Sequence, residues 1–318
     1  MCLNIKHEME QGHIYSMAEG SKKVGDLFWY SIQSVDIDRQ VLEAKMAQHE
    51  IDLMYLPNPI RASDAFRRAT YELQAKKVAT GNPQCYLNYL IREVTSDSKQ
   101  IQRNIVVEKV DKQGKALNYE TDTAVILFDK KLNEIFIQAK GTDNLAIKLA
   151  EEAKRKFMHY STHYDSQNIR QVMMRILESF SPISVRQNGG IYFVPVTYTK
   201  ELMKLAALIE DLGTSCSTMI PLFNIQSSHD MVNRQLVEDV KGAIEQCEAI
   251  FQNPNATKVM VKDAMANAKK VAIIYQDYRS IVELQTEVLE EKIGDLRMNA
   301  INLFDRLAEF EMTTKNKN

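Results

Sequence analysis

Three residues near the middle of the chain could bind a metal ion. His159 and His163 are four residues apart, so on a helix both imidazoles would lie on one face, and Asp165 follows closely. Zinc enzymes with this histidine spacing carry a glutamate directly after the first histidine, where this chain has Tyr160. Two surface histidines at a helix end, favoured there by the helix dipole, are the preferred explanation of the pair. We therefore expect no metal, and keep His159, His163 and Asp165 as the residues of an alternative metal-dependent hydrolase.

Two adjacent arginines could bind an anion. Arg67 and Arg68 lie near the start of a predicted helix that Ser63 or Asp64 would cap. Positive charge is unfavourable at a helix N-terminus, so a carboxylate, a phosphate or a contact with another subunit must offset it. Ion pairs within the fold, for example with Asp64, and a site for an anion or a partner are both open at this point.

A helix followed by a hairpin could contact DNA. In a winged-helix domain, Arg170 and Arg175 on the helix and Arg186 at the hairpin would meet phosphates. No dense stripe of Lys and Arg accompanies them, although phosphate binding usually draws on one. A winged-helix-like DNA-binding regulator is therefore the second hypothesis, and a helix and hairpin packed into an α+β core is preferred.

Other signatures of enzyme chemistry are absent from the sequence. Gly189 and Gly190 fall in a predicted hairpin, and no Gly-Lys-Ser/Thr follows, so the chain has no P-loop. The four cysteines are scattered without CxxC spacing, which predicts reduced thiols and a cytoplasmic protein. The net charge of −2 argues against attraction of the whole surface to nucleic acid. We expect no cofactor.

Composition and periodicity predict a folded α+β protein. The chain of 318 residues is 45% hydrophobic with only 11 Gly and 7 Pro, so it can bury a core. The pattern predicts an antiparallel β-meander with flanking helices, then a helix–hairpin–helix–strand module, then a long helical or coiled-coil arm. The predicted strands are 27–32, 86–94, 101–110, 119–128, 134–139 and 217–225, with a hairpin at 182–194. The predicted helices are 36–51 with Asp36 as N-cap, 63–77, 145–163, 166–180 after Asp165, and 199–212 ended by Gly213.

Four consecutive segments follow from these elements. They are a leader at 1–24 that lacks the apolar core of a signal peptide, an N-terminal α+β domain at 25–140, a middle α+β module at 141–227, and a C-terminal helical arm at 228–318.

The last third of the chain predicts long helices with an apolar seam. Residues 229–251 form one helix, and from 257 to 310 there is no proline and a single glycine, Gly294. One continuous helix there would be roughly 80 Å long, too long for a small domain to cover. We therefore expect its distal half to pair with another subunit or another protein. The seam residues are Leu289, Ile293, Leu296, Leu303, Leu307 and Phe310.

Three short sequences occur in a distinctive order. They are Ser-Asp-Ala-Phe-Arg-Arg-Ala-Thr at 63–70, Arg-Glu-Val at 92–94 and Gly-Gly-Ile-Tyr-Phe-Val-Pro at 189–195. Together they resemble an uncharacterised family of prokaryotic and phage proteins, over residues 25–225. The resemblance implies a phage or mobile-element setting and an accessory role, and it implies no activity and no catalytic residue.

These observations predict a non-enzymatic, oligomeric interaction protein of a phage or prokaryotic mobile element. It would act as a scaffold or as an inhibitor of a host defence system. Its expected partners are a second copy of itself and an unidentified macromolecule, protein rather than DNA. No apolar run of about 18 residues occurs, so no membrane contact is expected.

Overall fold

The computed structural model describes residues 22–186, 189–213, 215–224, 226–279 and 286–315. The chain forms two compact units, each assembled from segments far apart in sequence. We call residues 36–43 and 56–165 the meander unit, and residues 1–35, 44–55 and 166–318 the helical unit. This division differs from the four consecutive segments predicted from the sequence. The predicted leader lies almost entirely outside the described residues.

The elements alternate between the two units along the chain. In order they are β1 (Lys23–Ser31), β2 (Asp36–Asp38), α1 (Arg39–Gln48), α2 (Ala62–Tyr71), β3 (Ala75–Ala79), β4 (Cys85–Ser96), β5 (Gln100–Asp111), β6 (Ala116–Asp129), β7 (Glu134–Ala139), α3 (Asn144–Thr162), β8 (His163–Asp165), α4 (Ser166–Glu178), β9 (Ile183–Ser184), β10 (Tyr192–Pro195), α5 (Thr199–Asp211), β11 (Cys216–Phe223), α6 (Gln226–Gln252), α7 (Lys258–Arg279) and α8 (Thr286–Lys315).

The meander unit is an antiparallel sheet with two helices on one face. Its strand order, β3-β4-β5-β6-β7, confirms the predicted four-strand meander and adds β3. The second helix was predicted to run to residue 77, but α2 ends at Tyr71 and the chain turns back into the sheet. Aromatic residues join the helices to the sheet. The ring centroid of Phe128 on β6 lies 5.3 Å from that of Phe66 on α2 and 5.3 Å from that of Phe157 on α3.

A short strand pair in the same unit brings together residues more than a hundred positions apart. β2 and β8 are antiparallel, with Asp36 opposite Asp165 and Asp38 opposite His163. Alternation along the strands buries the central pair, Ile37 and Tyr164. The prediction of Asp36 as a helix cap is therefore wrong, because Asp36 lies in a strand.

The first two helices begin at other residues than the sequence predicted. α1 begins at Arg39, three residues later than predicted, and Asp38 just before it accepts a hydrogen bond from the Gln40 amide at 2.8 Å. At α2 the N-cap position is Arg61, which makes no side-chain cap bond, so neither Ser63 nor Asp64 is the cap.

The helical unit contains a four-stranded antiparallel sheet of order β11-β1-β10-β9. Gly25 on β1 faces β10 so closely that a Cβ there would lie 2.3 Å from the Val194 carbonyl oxygen. The predicted hairpin is confirmed as the β9–β10 pair, with its residues 187–188 outside the described ranges. Gly213 ends α5 with φ of +85°, as predicted.

Three helices of the helical unit pack together as a bundle. α7 and α8 are separate helices, so the prediction of one continuous helix from 257 to 310 is wrong. Arg279 at the end of α7 pairs with Glu290 near the start of α8 at 2.8 Å, which shows that the chain folds back. Arg306 on α8 donates to carbonyl oxygens at the C-terminal end of α6, including Ile250, so this part of α8 lies beside that end of α6.

Two further features bear on the sequence predictions. None of the helices in the described ranges has the length and apolar character needed to cross a bilayer. Cys85 and Cys247 are free and buried, whereas Cys216 is disulfide-bonded. The prediction of reduced thiols throughout is therefore wrong at Cys216.

Candidate functional site

The inner face of α8 is part of the core of its own chain. Leu289, Ile293, Leu296 and Leu303 are at most 2% exposed and belong to one apolar cluster with residues of α6 and α7. Leu307 packs partly buried against the same cluster, and the side chain of Phe310 lies outside the described part. The expectation that the distal seam has no partner within the chain is therefore wrong, since two neighbouring helices cover it.

A second apolar stripe lies on the outer face of α8. Met298, Ile301 and Phe304 are 62%, 55% and 59% exposed, and they follow one another at intervals of three residues. Residues three and four apart on a helix are surface neighbours, so these side chains form one continuous patch. Monomeric proteins expose single apolar residues everywhere, but contiguous exposed patches are typical of contact sites. We call these three residues the outer stripe.

Ile301 lies at the centre of the outer stripe. Its four neighbours on the helix surface are residues 297, 298, 304 and 305, at i±3 and i±4. Two of them are the apolar Met298 and Phe304, and two are the charged Arg297 and Asp305, all exposed. Within the described residues, neither Arg297 nor Asp305 takes part in an ion pair. A half-turn of the helix about the direction in which Ile301 points would exchange Met298 with Phe304 and Arg297 with Asp305.

The meander unit holds a second candidate, a polar cleft. α2 supplies Arg68, α3 supplies Lys156, His159 and Tyr160, and the β2–β8 pair supplies Asp36 and Asp165. The cleft has a volume of about 480 Å³ and is lined by Asp36, Arg68, Arg155, Lys156, His159, Tyr160 and Asp165. Arg68 of the predicted arginine pair therefore meets His159 and Asp165 of the predicted metal site in one place.

Arg68 is the centre of the cleft. Its guanidinium lies over the Tyr160 ring with Cζ 4.2 Å from the centroid, a cation–π contact. Arg68 Nη1 donates to Asp165 Oδ2 at 3.1 Å, and Arg68 Nε lies 3.6 Å from Glu72 Oε1. Glu72 also accepts hydrogen bonds from the Tyr160 hydroxyl at 2.6 Å and from Lys156 at 2.9 Å. Arg68 lies in the last turn of α2, where the helix dipole favours a positive charge, so the expectation of an unfavourable charge near the helix start is wrong for this residue.

These contacts shift the pKa values of three groups. Partial burial raises the pKa of Glu72, but the hydrogen bonds from Tyr160 and Lys156 and the nearby cations outweigh it, so its pKa is lowered from 4.5. Burial, followed by the hydrogen bond to Glu72, raises the pKa of Tyr160. The hydrogen bond to Glu72 raises the pKa of Lys156. Glu72 is therefore held ionised, and Lys156 and Tyr160 are held protonated.

His159 on α3 and His163, the first residue of β8, form a stacked pair. Their ring centroids are 4.1 Å apart, and His159 Nε2 lies 2.9 Å from an oxygen of Asp36. His163 Nδ1 lies 2.8 Å from the Thr162 hydroxyl. No group of three His, Cys, Asp or Glu side chains in the described ranges is arranged to hold a metal ion. His159 and Asp36 have the separation of a hydrogen-bonded acid–base pair.

The neighbouring arginine does not contribute to the cleft. Arg67 Nη1 lies 3.3 Å from Asp64, and Arg67 Nη2 lies 3.4 Å from the Ser96 hydroxyl, so it faces β4. Sequence reasoning missed Glu72, Lys156 and Tyr160. Their spacing carried a usable signal, because Glu72 follows Arg68 at i+4 and Tyr160 follows Lys156 at i+4, which places each pair on one helix face.

The arginines considered for DNA binding are not on one surface of α4. Arg170 and Arg175 are five residues apart, so they project about 140° from each other around the helix. Arg170 donates to the Ile32 carbonyl oxygen at 2.5 Å and Arg175 to the Tyr55 carbonyl oxygen at 3.0 Å. Arg186 is exposed beside the β9–β10 hairpin. Two of the three guanidiniums thus bind backbone carbonyls of their own unit.

The comparisons with known proteins identify a family and no relative of known role. No curated protein and no solved structure matches the chain. A family model described as a family of unknown function, DUF6744, matches residues 23–309. The match continues through α6, α7 and most of α8, whereas the sequence resemblance covered only residues 25–225. The C-terminal helices are thus part of what the family shares, and the chain belongs to the family of unknown function DUF6744.

Proposed function

We propose that this protein is a non-enzymatic interaction protein that binds another protein through the outer stripe of α8. The observation that carries the proposal is the exposure of Met298, Ile301 and Phe304 side by side on a helix whose opposite face is fully used in the core. An apolar patch of three large side chains is unfavourable in water, and covering it by a partner would recover about 25 cal/mol for each Å² of apolar area buried.

The rigidity of the bundle supports this proposal. The inner face of α8 is fixed by the core, and Arg306 ties the same helix to three backbone carbonyls near the end of α6. The outer stripe therefore lies on a helix already ordered before binding, which lowers the entropy cost of association. We further propose a phage or mobile-element setting, as the sequence resemblance implies, in which the bound protein would belong to a host machine that this protein scaffolds or inhibits.

Site-specific photo-crosslinking tests the proposal. A photoreactive phenylalanine analogue at position 301 should yield protein adducts in cells that express the chain. The same analogue at Val259, 65% exposed on α7, is the matched control and should yield few. Mass spectrometry of the adducts identifies the bound protein. Equal labelling at both positions, or none at position 301, would remove the outer stripe as a binding surface.

A second candidate function is the binding of a small oxyanion in the cleft of the meander unit. The observation that favours it is the convergence of Arg68, Arg155, Lys156 and His159 on one cleft. Each of these groups has a carboxylate nearby, including Glu152 for Arg155. A bound anion would therefore have to exchange with carboxylates, and a multiply charged one such as phosphate would do so best.

Calorimetric titration with inorganic phosphate tests the second candidate. Arg68→Gln should weaken phosphate binding by at least tenfold, because it removes the central fork donor. Arg67→Gln, on the adjacent residue that faces β4, is the matched control and should leave the affinity unchanged. Equal effects of both substitutions, or no heat with the unaltered chain, would exclude a specific anion site.

A further inference from the structure

A further cleft lies on the sheet of the meander unit, on the face turned away from α2 and α3. Its volume is about 380 Å³. We call it the amide cleft, because four amide side chains line it, namely Gln100, Gln102, Asn104 and Gln138. We propose that the amide cleft binds a neutral carbohydrate. The site is separate from the outer stripe and from the cleft around Arg68, so it does not depend on the proposed function.

The strand register brings the lining side chains together. Gln102 on β5 lies opposite Leu127 on β6, and Leu127 lies opposite Phe136 on β7. The next row across the same strands consists of Asn104, Val125 and Gln138. Opposed residues on adjacent strands share one face of a sheet. Ile101 and Ile126 occupy the alternate positions and belong to the core with α2 and α3, so both rows lie on the other face.

Hydrogen bonds fix the amides at the centre of the cleft. Asn104 is only 8% exposed, and its Nδ2 donates to the Thr121 carbonyl oxygen at 3.1 Å. Its Oδ1 accepts a hydrogen bond from Gln102 Nε2 at 3.0 Å. An amide side chain has two N–H donors and an oxygen that accepts twice. Since the described part of the chain offers no other partner to the Gln102 amide, its Oε1 and one N–H are available, side by side, to a ligand.

The lining of the amide cleft has no net charge. Its two charged residues, Asp122 and Lys140, form an ion pair with each other. A nucleic acid or another polyanion would require cations that are not already neutralised. A wholly apolar ligand would remove the amides from water without giving them hydrogen bonds, which is unfavourable. The lining therefore favours a neutral ligand that is rich in both donors and acceptors.

A sugar ring combines such groups with an apolar surface. Each hydroxyl is both a donor and an acceptor, and so complements an amide, which is also both. Leu127 and the Phe136 ring, which is 45% exposed, lie in the same row as Gln102 and offer a surface for the C–H face of the sugar. The volume is near the lower end of the roughly 300–1,000 Å³ that is typical of ligand sites, which suits a short saccharide.

A glycan array probed with the fluorescently labelled full chain tests this proposal. The chain should bind neutral glycans on the array at least as well as their sulfated forms. Calorimetry with a neutral oligosaccharide bound on the array should give the same affinity at about 0.05 and 0.5 M NaCl, because no ion pair with the ligand is involved. Gln102→Ala and Phe136→Ala should each weaken this binding by roughly tenfold or more, since one removes the fixed amide and the other the apolar surface.

Matched controls come from the same sheet. Gln113→Ala in the β5–β6 turn and Tyr119→Ala on β6, both exposed and outside the cleft lining, should leave the affinity unchanged. Circular dichroism spectra of all four variants should match that of the unaltered chain. Three results would each overturn the proposal, namely no binding to any glycan, equal losses in cleft and control variants, or an affinity that falls steeply with salt. Binding to an array of unmodified peptides that is lost with Gln102→Ala, without glycan binding, would make the cleft a peptide site instead.

Discussion

Leu303→Ala distinguishes a buried seam from an interface. The sequence suggested that Leu303 would contact another chain, whereas the structure places it at 0% exposure in the core of its own bundle. Truncation there should lower the free energy of unfolding without changing the oligomeric state. If Leu303 belonged to an interface, the same change would lower the mass of the assembly instead.

The size of the effect follows from complete burial. Removing a leucine side chain beyond Cβ costs the lost transfer energy, about 0.8 kcal/mol for each carbon, plus a cavity term, for a total of about 3–5 kcal/mol. With a urea slope of about 1.5 kcal/mol/M, a loss of about 3 kcal/mol moves the midpoint of helix unfolding down by roughly 2 M. That loss is a large part of the roughly 5–15 kcal/mol that stabilises a typical domain.

Ile301→Ala is the matched control, two residues away on the same helix. Its side chain is 55% exposed, so the free energy of unfolding should change by less than about 0.5 kcal/mol. Urea unfolding followed by circular dichroism at 222 nm, together with mass from light scattering, reads both effects. A stable Leu303→Ala protein of reduced mass would refute the assignment of the inner face to the core.

Three further outcomes are expected from single substitutions. Gly25→Ala should lower the stability by more than about 2 kcal/mol, because a Cβ would overlap the neighbouring strand, whereas Gly190→Ala, with open space around it, should be near neutral in the same thermal scans. Burial and the hydrogen bond to Asp143 raise the pKa of Tyr89 from 10.0 to about 12. The contribution of Tyr89 to stability is therefore complete below pH 10 and is lost between pH 10 and about 12. Tyr89→Phe should make that loss shallower in alkaline unfolding curves. Glu72 has a lowered pKa, so its contribution is present above pH 4.5 and is lost on acidification below that value; Glu72→Gln should flatten this decline, and an unchanged acid profile would show that the ion-pair network is not formed.

The elements with clear periodicity could be predicted from the sequence. The four long strands of the meander and the helices α3, α5 and α6 follow alternation or helical spacing that local physics imposes. β3 was missed because Ala75–Ala79 is short and rich in alanine and lysine, so it has little strand character of its own and depends on pairing with β4. β2 was missed for the same reason, since three residues form a strand there only because β8 lies beside them.

The candidate sites could be predicted only in part. Arg68, His159, His163 and Asp165 were singled out by residue type, but their convergence depends on the packing of α2 against α3 and on the β2–β8 pair. Those contacts join residues nearly a hundred or more positions apart, and one sequence without an alignment carries no signal of them. Glu72 and Lys156 have ordinary helical surroundings, and become informative only once Arg68 and Tyr160 are known to lie beside them.

The two faces of α8 show why an apolar seam alone does not identify an interface. A regular seam, such as the one from Leu289 to Leu307, indicates that some helix covers it, and the sequence does not say whether that helix belongs to the same chain. Here α6 and α7 bury Leu289, Ile293, Leu296 and Leu303 in the core of the same chain, so these seam residues are explained by folding. Met298, Ile301 and Phe304 are exposed and do not take part in the core of the bundle. A helix in a bundle needs one apolar face, and because folding does not account for a second, the outer stripe carries the functional information in this helix.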